Sequence, residues 1–171
     1  KINSIFLHYK MNTSDADPVL IVTPIILSWI TSYLTGGVSS KDYKKAWFQP
    51  PGWVFGLVWT ALYVMFGFLL YESKRQVDYF TLGLVAGVLF LTYCWQFFFS
   101  YLKNYKLAII NLLLIFVAGL ILFVRLFDSE VVDKTTFGYG YIMIYVPFLA
   151  WIIFALLLST QTFPKKSKMK I

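Results

Sequence analysis

The side chains best placed to do chemistry in this chain are aromatic. After Pro50-Pro51, Trp53, Trp59 and Tyr63 follow at helical intervals inside an uncharged run from Ala46 to Tyr71. At about 100° per residue, Gly52, Gly56, Trp59, Tyr63 and Gly67 fall on one stripe of a helix. Rings on such a stripe can wall a pocket for a flat apolar ligand. Small residues also let a second helix approach, so spacing alone leaves pocket wall and packing seam both open. Further along, Val88, Thr92, Trp95 and Phe99 share a face. A threonine beside rings can orient a ligand or bond to its own helix backbone. Phe148, Trp151, Ala155 and Ser159 repeat the combination of rings, a small residue and one hydroxyl.

Most other chemistry lacks its residues. Cys94 is the sole cysteine, and His8, the sole histidine, lies in a polar stretch. No internal disulfide or cysteine metal site can form, and histidine catalysis or haem ligation from within the apolar runs has no candidate. Ser159 and Thr92 have no basic partner to activate them. No run carries an Asp or Glu near its centre, as ion and proton pathways usually require. The aromatic faces therefore suit a planar hydrophobic ligand such as a tetrapyrrole, or a rigid one such as a sterol, and suit ions poorly.

These faces belong to long apolar segments. The chain has 171 residues, 59% hydrophobic, 20% aromatic and 13% charged. Uncharged runs recur at Pro18–Ser40, Ala46–Tyr71, Tyr79–Leu102, Leu107–Val124 and Thr135–Pro164. A membrane helix needs roughly 20 mainly apolar residues. The pattern predicts an all-α, five-transmembrane-helix bundle with helices at about 18–36, 51–71, 79–101, 107–126 and 139–162. A polar arm (1–17) precedes a single domain (18–163), and a basic tail (164–171) follows. The first run lacks an A-x-A-like cleavage site and follows that arm, so it reads as a span rather than a signal peptide. Without an internal repeat, the chain does not read as an inverted-repeat transporter.

Punctuation sets the ends. Pro18 and Pro24 bracket the start of helix 1, and Gly36-Gly37 closes it. Pro50-Pro51 opens helix 2, because a proline's missing N–H costs nothing in a first turn. The short loop 102–106 makes helices 3 and 4 an antiparallel hairpin, and Pro147 is expected to kink helix 5. Gly83, Gly87, Phe90 and Cys94 share the second face of helix 3, a common packing pattern. Helix 4 aligns Asn111, Ile115, Ala118, Leu122 and Arg125, with Asn111 expected to bond a neighbouring helix and Arg125 to snorkel to the interface.

Charge gives a direction. Loops 37–50 and 102–106 and the tail hold nine basic residues against one acid, Asp42; the other side holds six basic residues and seven acids. The positive-inside rule puts the lysine-rich side in the cytoplasm, with the N-terminus out and the C-terminus in. The tail lysines then lie near anionic lipid rather than nucleic acid.

Pro50-Pro51-Gly52-Trp53-Val54-Phe55-Gly56, followed by Val58-Trp59-Thr60 and Leu62-Tyr63, resembles the signature of the TspO/MBR family, the tryptophan-rich sensory and translocator proteins. Leu91-Thr92-Tyr93-Cys94-Trp95 with Phe97-Phe98-Phe99, and Pro147-Phe148-Leu149-Ala150-Trp151 with Phe154-Ala155, resemble its third- and fifth-helix blocks. The resemblance implies a five-helix membrane bundle, often a homodimer, in a bacterial inner or mitochondrial outer membrane. It implies porphyrin or haem as ligand, with no required cofactor, and in animal members sterols. Carried over by motif, the ligand site comprises Trp53, Phe55, Gly56, Trp59, Thr92, Trp95, Ile110, Leu114, Trp151, Ala155 and Ser159; Tyr63, Phe99 and Phe148 join them from the faces above. Trp59 and Trp95 are expected to flank the ligand. The resemblance also implies an alternative: light- and oxygen-dependent porphyrin degradation, with Trp59 and Trp95 as the candidate catalytic residues.

The departures bear on selectivity. Thr92 and Ser159 stand where the family usually has Asn, and Asn111 where Asp is frequent. Gln96 and Phe97 replace frequent prolines, so helix 3 is expected to be straighter. The sterol-recognition pattern after helix 5 is missing, with only a formal match at Leu102, Tyr105 and Lys106, so sterol binding has less support than tetrapyrrole binding.

Overall fold

The computed structural model describes residues 17–37, 43–44, 46–128, 140–161 and 163–164. The arm before Asp17 and most of loop 127–138 and of the basic tail lie outside these residues, as do Ser39 to Asp42. The described chain forms five helices: α1 (Val19–Thr35), α2 (Gly52–Arg75), α3 (Tyr79–Gln96, continued by a wider turn over Phe97–Tyr101), α4 (Tyr105–Asp128) and α5 (Gly140–Thr160). Each falls on one of the uncharged runs. The apolar stretches Gly52–Arg75, Tyr79–Tyr101 and Tyr105–Phe127 have 24, 23 and 23 residues and are long enough to cross a bilayer; at 1.5 Å per residue that is about 35 Å. α1 is a shorter apolar helix, as is the Tyr145–Thr160 stretch of α5.

The helix ends follow local chemistry. Asp17 Oδ1 accepts from the Val19 N–H at 2.9 Å. Gly36 closes α1 at φ 73°, and its N–H and that of Gly37 reach back to Tyr33 and Ser32 carbonyls, which is the glycine-terminated helix end. Pro51 caps α2. Asp78 caps α3, accepting from the Thr81 N–H at 3.0 Å and the Thr81 hydroxyl at 2.6 Å. Tyr43–Lys44 pairs antiparallel with Phe163–Pro164, tying the α1–α2 connection to the chain beyond α5 at one end of the bundle.

The interior is packed with Phe66, Leu69, Val85, Leu112, Ile115, Leu122, Tyr145, Phe148 and Ile152, all essentially inaccessible. The outer faces carry large apolar side chains instead, among them Val22, Ile26, Leu57, Phe90, Leu113, Val117 and Val124. Such a surface suits lipid rather than water. Close approaches fix neighbours. A methyl group at Gly67 would lie 2.7 Å from the Ile21 carbonyl carbon, so α1 and α2 touch backbone to backbone there. At Gly119 it would lie 3.1 Å from Leu149 Cδ2 and 3.2 Å from Phe148 Cε1, seating α4 against α5. The Tyr145 hydroxyl donates to the Gly119 carbonyl at 3.2 Å.

Four expectations change. Helix 3 does not simply straighten where proline is missing: Phe97–Tyr101 winds as a π-helical turn, with the Leu102 N–H bonded to the Phe97 carbonyl five residues back at 3.1 Å. Arg125 does not snorkel free. Its guanidinium meets Asp78 Oδ2 at 3.1 Å and Thr81 Oγ1 at 3.3 Å, with its carbon 5.5 Å from the Phe80 ring centre. Asn111 is buried, yet its Oδ1 has no hydrogen-bond partner among the described residues. Gly83 and Gly87 face open space, so among the described residues they pack against no helix.

Candidate functional site

The helix 2 stripe divides into two functions. Gly67 is the packing seam with α1. Gly52 and Gly56 have nothing within 4 Å of where a methyl group would stand. They border a cavity of about 410 Å³, within the range of small-molecule sites.

α2 contributes Phe55, Trp59, Thr60 and Tyr63 to this cavity, α3 and its π-helical turn contribute Thr92, Trp95, Gln96 and Phe99, and α5 contributes Trp151, Ala155, Leu158 and Ser159. α1 supplies Ser28, Trp29 and Ser32, and the segment before α2 supplies Gln49. Among the described residues, none that lines the cavity is formally charged.

The rings form a continuous ladder. Tyr93 stacks on Tyr63 (centroids 5.7 Å), Tyr63 on Trp59 (5.6 Å), Trp59 on Trp95 (6.2 Å) and Trp95 on Phe99 (5.2 Å). Phe55 meets Trp151 edge to face at 5.4 Å on the α5 side. Offset stacks at these distances are favourable in themselves, so the ladder holds its shape without a ligand. Trp59 and Trp95 therefore do not stand on two sides of a slot. A flat ligand between two ring planes needs about 7 Å, two carbon contacts of about 3.5 Å. At 6.2 Å the two indoles are one wall, which a ligand meets on its open side.

The polar groups are sparse and divided in role. The Thr92 hydroxyl donates to the Leu89 carbonyl at 2.6 Å, Ser159 to Ala155 at 2.7 Å, Thr60 to Gly56 at 2.8 Å and Ser28 to Ile25 at 2.8 Å. Each hydroxyl spends its hydrogen on its own helix and keeps oxygen lone pairs as acceptors. The indole nitrogens of Trp95 and Trp151 are buried and have no hydrogen-bond partner among the described residues. Unpartnered buried donors are uncommon and costly, and neither nitrogen is accessible from the cavity.

Of the sequence-predicted site residues, the cavity gathers Phe55, Gly56, Trp59, Tyr63, Thr92, Trp95, Phe99, Trp151, Ala155 and Ser159. Four lie elsewhere. Trp53 is 71% exposed on the outer face of α2. Ile110 and Leu114, 54% and 52% exposed, point away from the bundle on α4, which contributes nothing to the cavity. Phe148 is wholly buried one turn below Trp151, edge to face with Phe66 at 4.9 Å, and packs the core beneath the cavity. The α1 residues Ser28, Trp29 and Ser32, with Gln49, Gly52, Thr60, Gln96 and Leu158, are the lining residues absent from the sequence-predicted site. The only signal for the first three is their shared helical face, two serines four residues apart flanking a tryptophan.

A bundle of five apolar helices, with a tryptophan-walled cavity lined from α1, α2, α3 and α5, has the build of an integral membrane protein. The chain belongs to the TspO/MBR family, whose model matches residues 20–163. It is 26% identical over 122 residues to the tryptophan-rich protein TspO of Archaeoglobus fulgidus, covering 66% of this chain and 69% of that protein. It is 35% identical over 78 residues to the human translocator protein, 42% of this chain and 46% of that one.

Proposed function

We propose that this chain is a membrane binding protein, receptor- or transporter-like, whose cavity takes a planar tetrapyrrole of the porphyrin or haem type. The carrying observation is the aromatic wall of Trp59 and Trp95, with Trp151 and Phe55, apolar and already assembled around a cavity of about 410 Å³. A porphyrin is itself a broad, apolar ring system that matches such a lining. A sterol would fill volume without aromatic contact, and takes second place. Titrating the purified protein with protoporphyrin IX tests the reading; the tryptophan emission is expected to quench saturably at one site.

The degradative alternative draws on the same ladder. Light-driven porphyrin breakdown by a protein needs an oxidisable ring against the ligand, and Trp59 and Trp95 lie on the cavity wall, in stacking contact with each other.

Two further features belong to this reading. The lysine-rich end of the bundle, which holds Gln49 and the start of α2, faces the cytoplasm. A second copy packs on α3, where Gly83 and Gly87 leave open space beside exposed Phe90.

A further inference from the structure

The cavity's opening runs along the side of the bundle. Gly52, Gly56 and Thr60 all line the cavity and are all exposed. They are spaced over eight residues, about 12 Å of helix axis, so the gap is a lengthwise slot rather than a hole at the end. Across it stands α1 with Ser28, Trp29 and Ser32. The slot ends where Tyr63 is buried and Gly67 meets the Ile21 backbone.

α1 is pinned to its neighbours at two points in its first half, and also meets the π-helical turn of α3. Ile21 touches Gly67, and the Tyr93 hydroxyl donates to the Pro24 carbonyl at 2.9 Å. Beyond Ser28 it borders the cavity, and Trp29, 68% exposed, borders both the cavity and a shallow outer groove leading to Tyr33 and Gly36. At the end of the bundle Phe48 lies against Phe154 with ring centroids 6.2 Å apart, and the Tyr43–Lys44 pairing with Phe163–Pro164 ties that connection down.

The rim suits lipid. The hydroxyls of Ser28 and Thr60 are bonded to their own helices, and Ile26, Ile30 and Leu57 are exposed nearby. We propose that the cavity fills from the bilayer, through the slot between α1 and α2, with Trp29 as the gate. The ligand is then one that partitions into lipid and slides in edge-on, which fits a flat apolar molecule.

The inference rests on the cavity being the ligand site, but its test uses no porphyrin, so the two readings fail separately. Cys94, the one native thiol, is replaced by serine, and Gly56→Cys places a thiol in the open space of the slot. In liposomes, a lipid-partitioning pyrene maleimide is expected to label position 56 several-fold faster than a charged, membrane-impermeant thiosulfonate. Adding Trp29→Ala is expected to raise the lipid-phase rate several-fold, measured relative to Val117→Cys on the outer face of α4. Trp29→Leu serves if the alanine variant does not fold. Faster labelling by the charged reagent, or a lipid-phase rate indifferent to both Trp29 variants, overturns the proposal.

Discussion

Trp59 of α2 and Trp95 of α3 stack with centroids 6.2 Å apart and planes 24° from parallel. Two helices that are neighbours in sequence thus share one aromatic surface. Tyr63 and Phe99 extend it in opposite directions, and the cavity is built against it.

That surface depends on α1 staying clear of it, which separates the glycines of α2 by function. Gly67→Ala forces a methyl group into the Ile21 backbone and is expected to destabilise the protein by about 1–3 kcal/mol, as overpacking does. Gly56→Ala enters open space and is expected to change stability by less than about 0.5 kcal/mol. Thermal unfolding in detergent separates the two, and equal losses would contradict the division.

Trp151, a cavity-lining ring whose nitrogen is unpartnered among the described residues, separates stability from binding. Trp151→Phe keeps an aromatic ring and removes a buried donor that costs about 1–3 kcal/mol while unmet. Relief of that cost offsets the lost area, so ligand-free stability is expected to stay within about 1 kcal/mol of wild type. Affinity for protoporphyrin IX is expected to fall. Unfolding and titration on the same preparation check both halves.

At the other end of the bundle, Asp78 links the cap of α3 to α4 through Arg125. Burial pushes its carboxyl up, but the Thr81 hydroxyl and amide bonds and the Arg125 charge outweigh burial and hold its pKa below the ordinary value. A depressed native pKa adds stability above the unfolded value, about 4, and that stability is lost as pH falls through the native value. The gap in thermal midpoint between wild type and Asp78→Asn is therefore expected to be constant from neutral pH down to about 5 and to shrink below about 4. A gap that widens in acid would refute the assignment.

The degradative reading has its own test. Under illumination in air, protoporphyrin IX with the wild-type protein is expected to give a distinct absorbing product that Trp59→Phe and Trp95→Phe do not give. Bleaching at the rate of free porphyrin removes that reading and leaves binding intact.

The sequence makes the helices legible because in lipid each must carry its own long uncharged run, and because Pro51 and Gly36 mark ends by chemistry that acts within a few residues. Three walls of the cavity are legible for a similar reason: Trp59, Trp95 and Trp151 each sit on a helical face with small or hydroxyl neighbours. The fourth wall is not. α1 is apolar nearly all round, so Ser28, Trp29 and Ser32 are distinguished as a cavity face only by how α1 leans on α2. Ile110 and Leu114 fail on the same ground: α4 is also apolar on every side, and rotation about its axis is set by contacts such as Gly119 with Phe148. The π-helical turn over Phe97–Tyr101 has no marker residue, since it depends on how α3 reaches the tight connection to α4.

The central claim is that a planar ligand binds on the wall formed by Trp59 and Trp95. Trp53 supplies the control, because it lies on the same helix but faces outward. Equilibrium titration with protoporphyrin IX in nanodiscs, on wild type, Trp59→Ala and Trp53→Ala, tests the claim most directly. Saturable binding by wild type, about tenfold or more weaker in Trp59→Ala from lost ring area and stacking and unchanged in Trp53→Ala, is the predicted result. Non-saturable binding, or equal losses in the two variants, would contradict it.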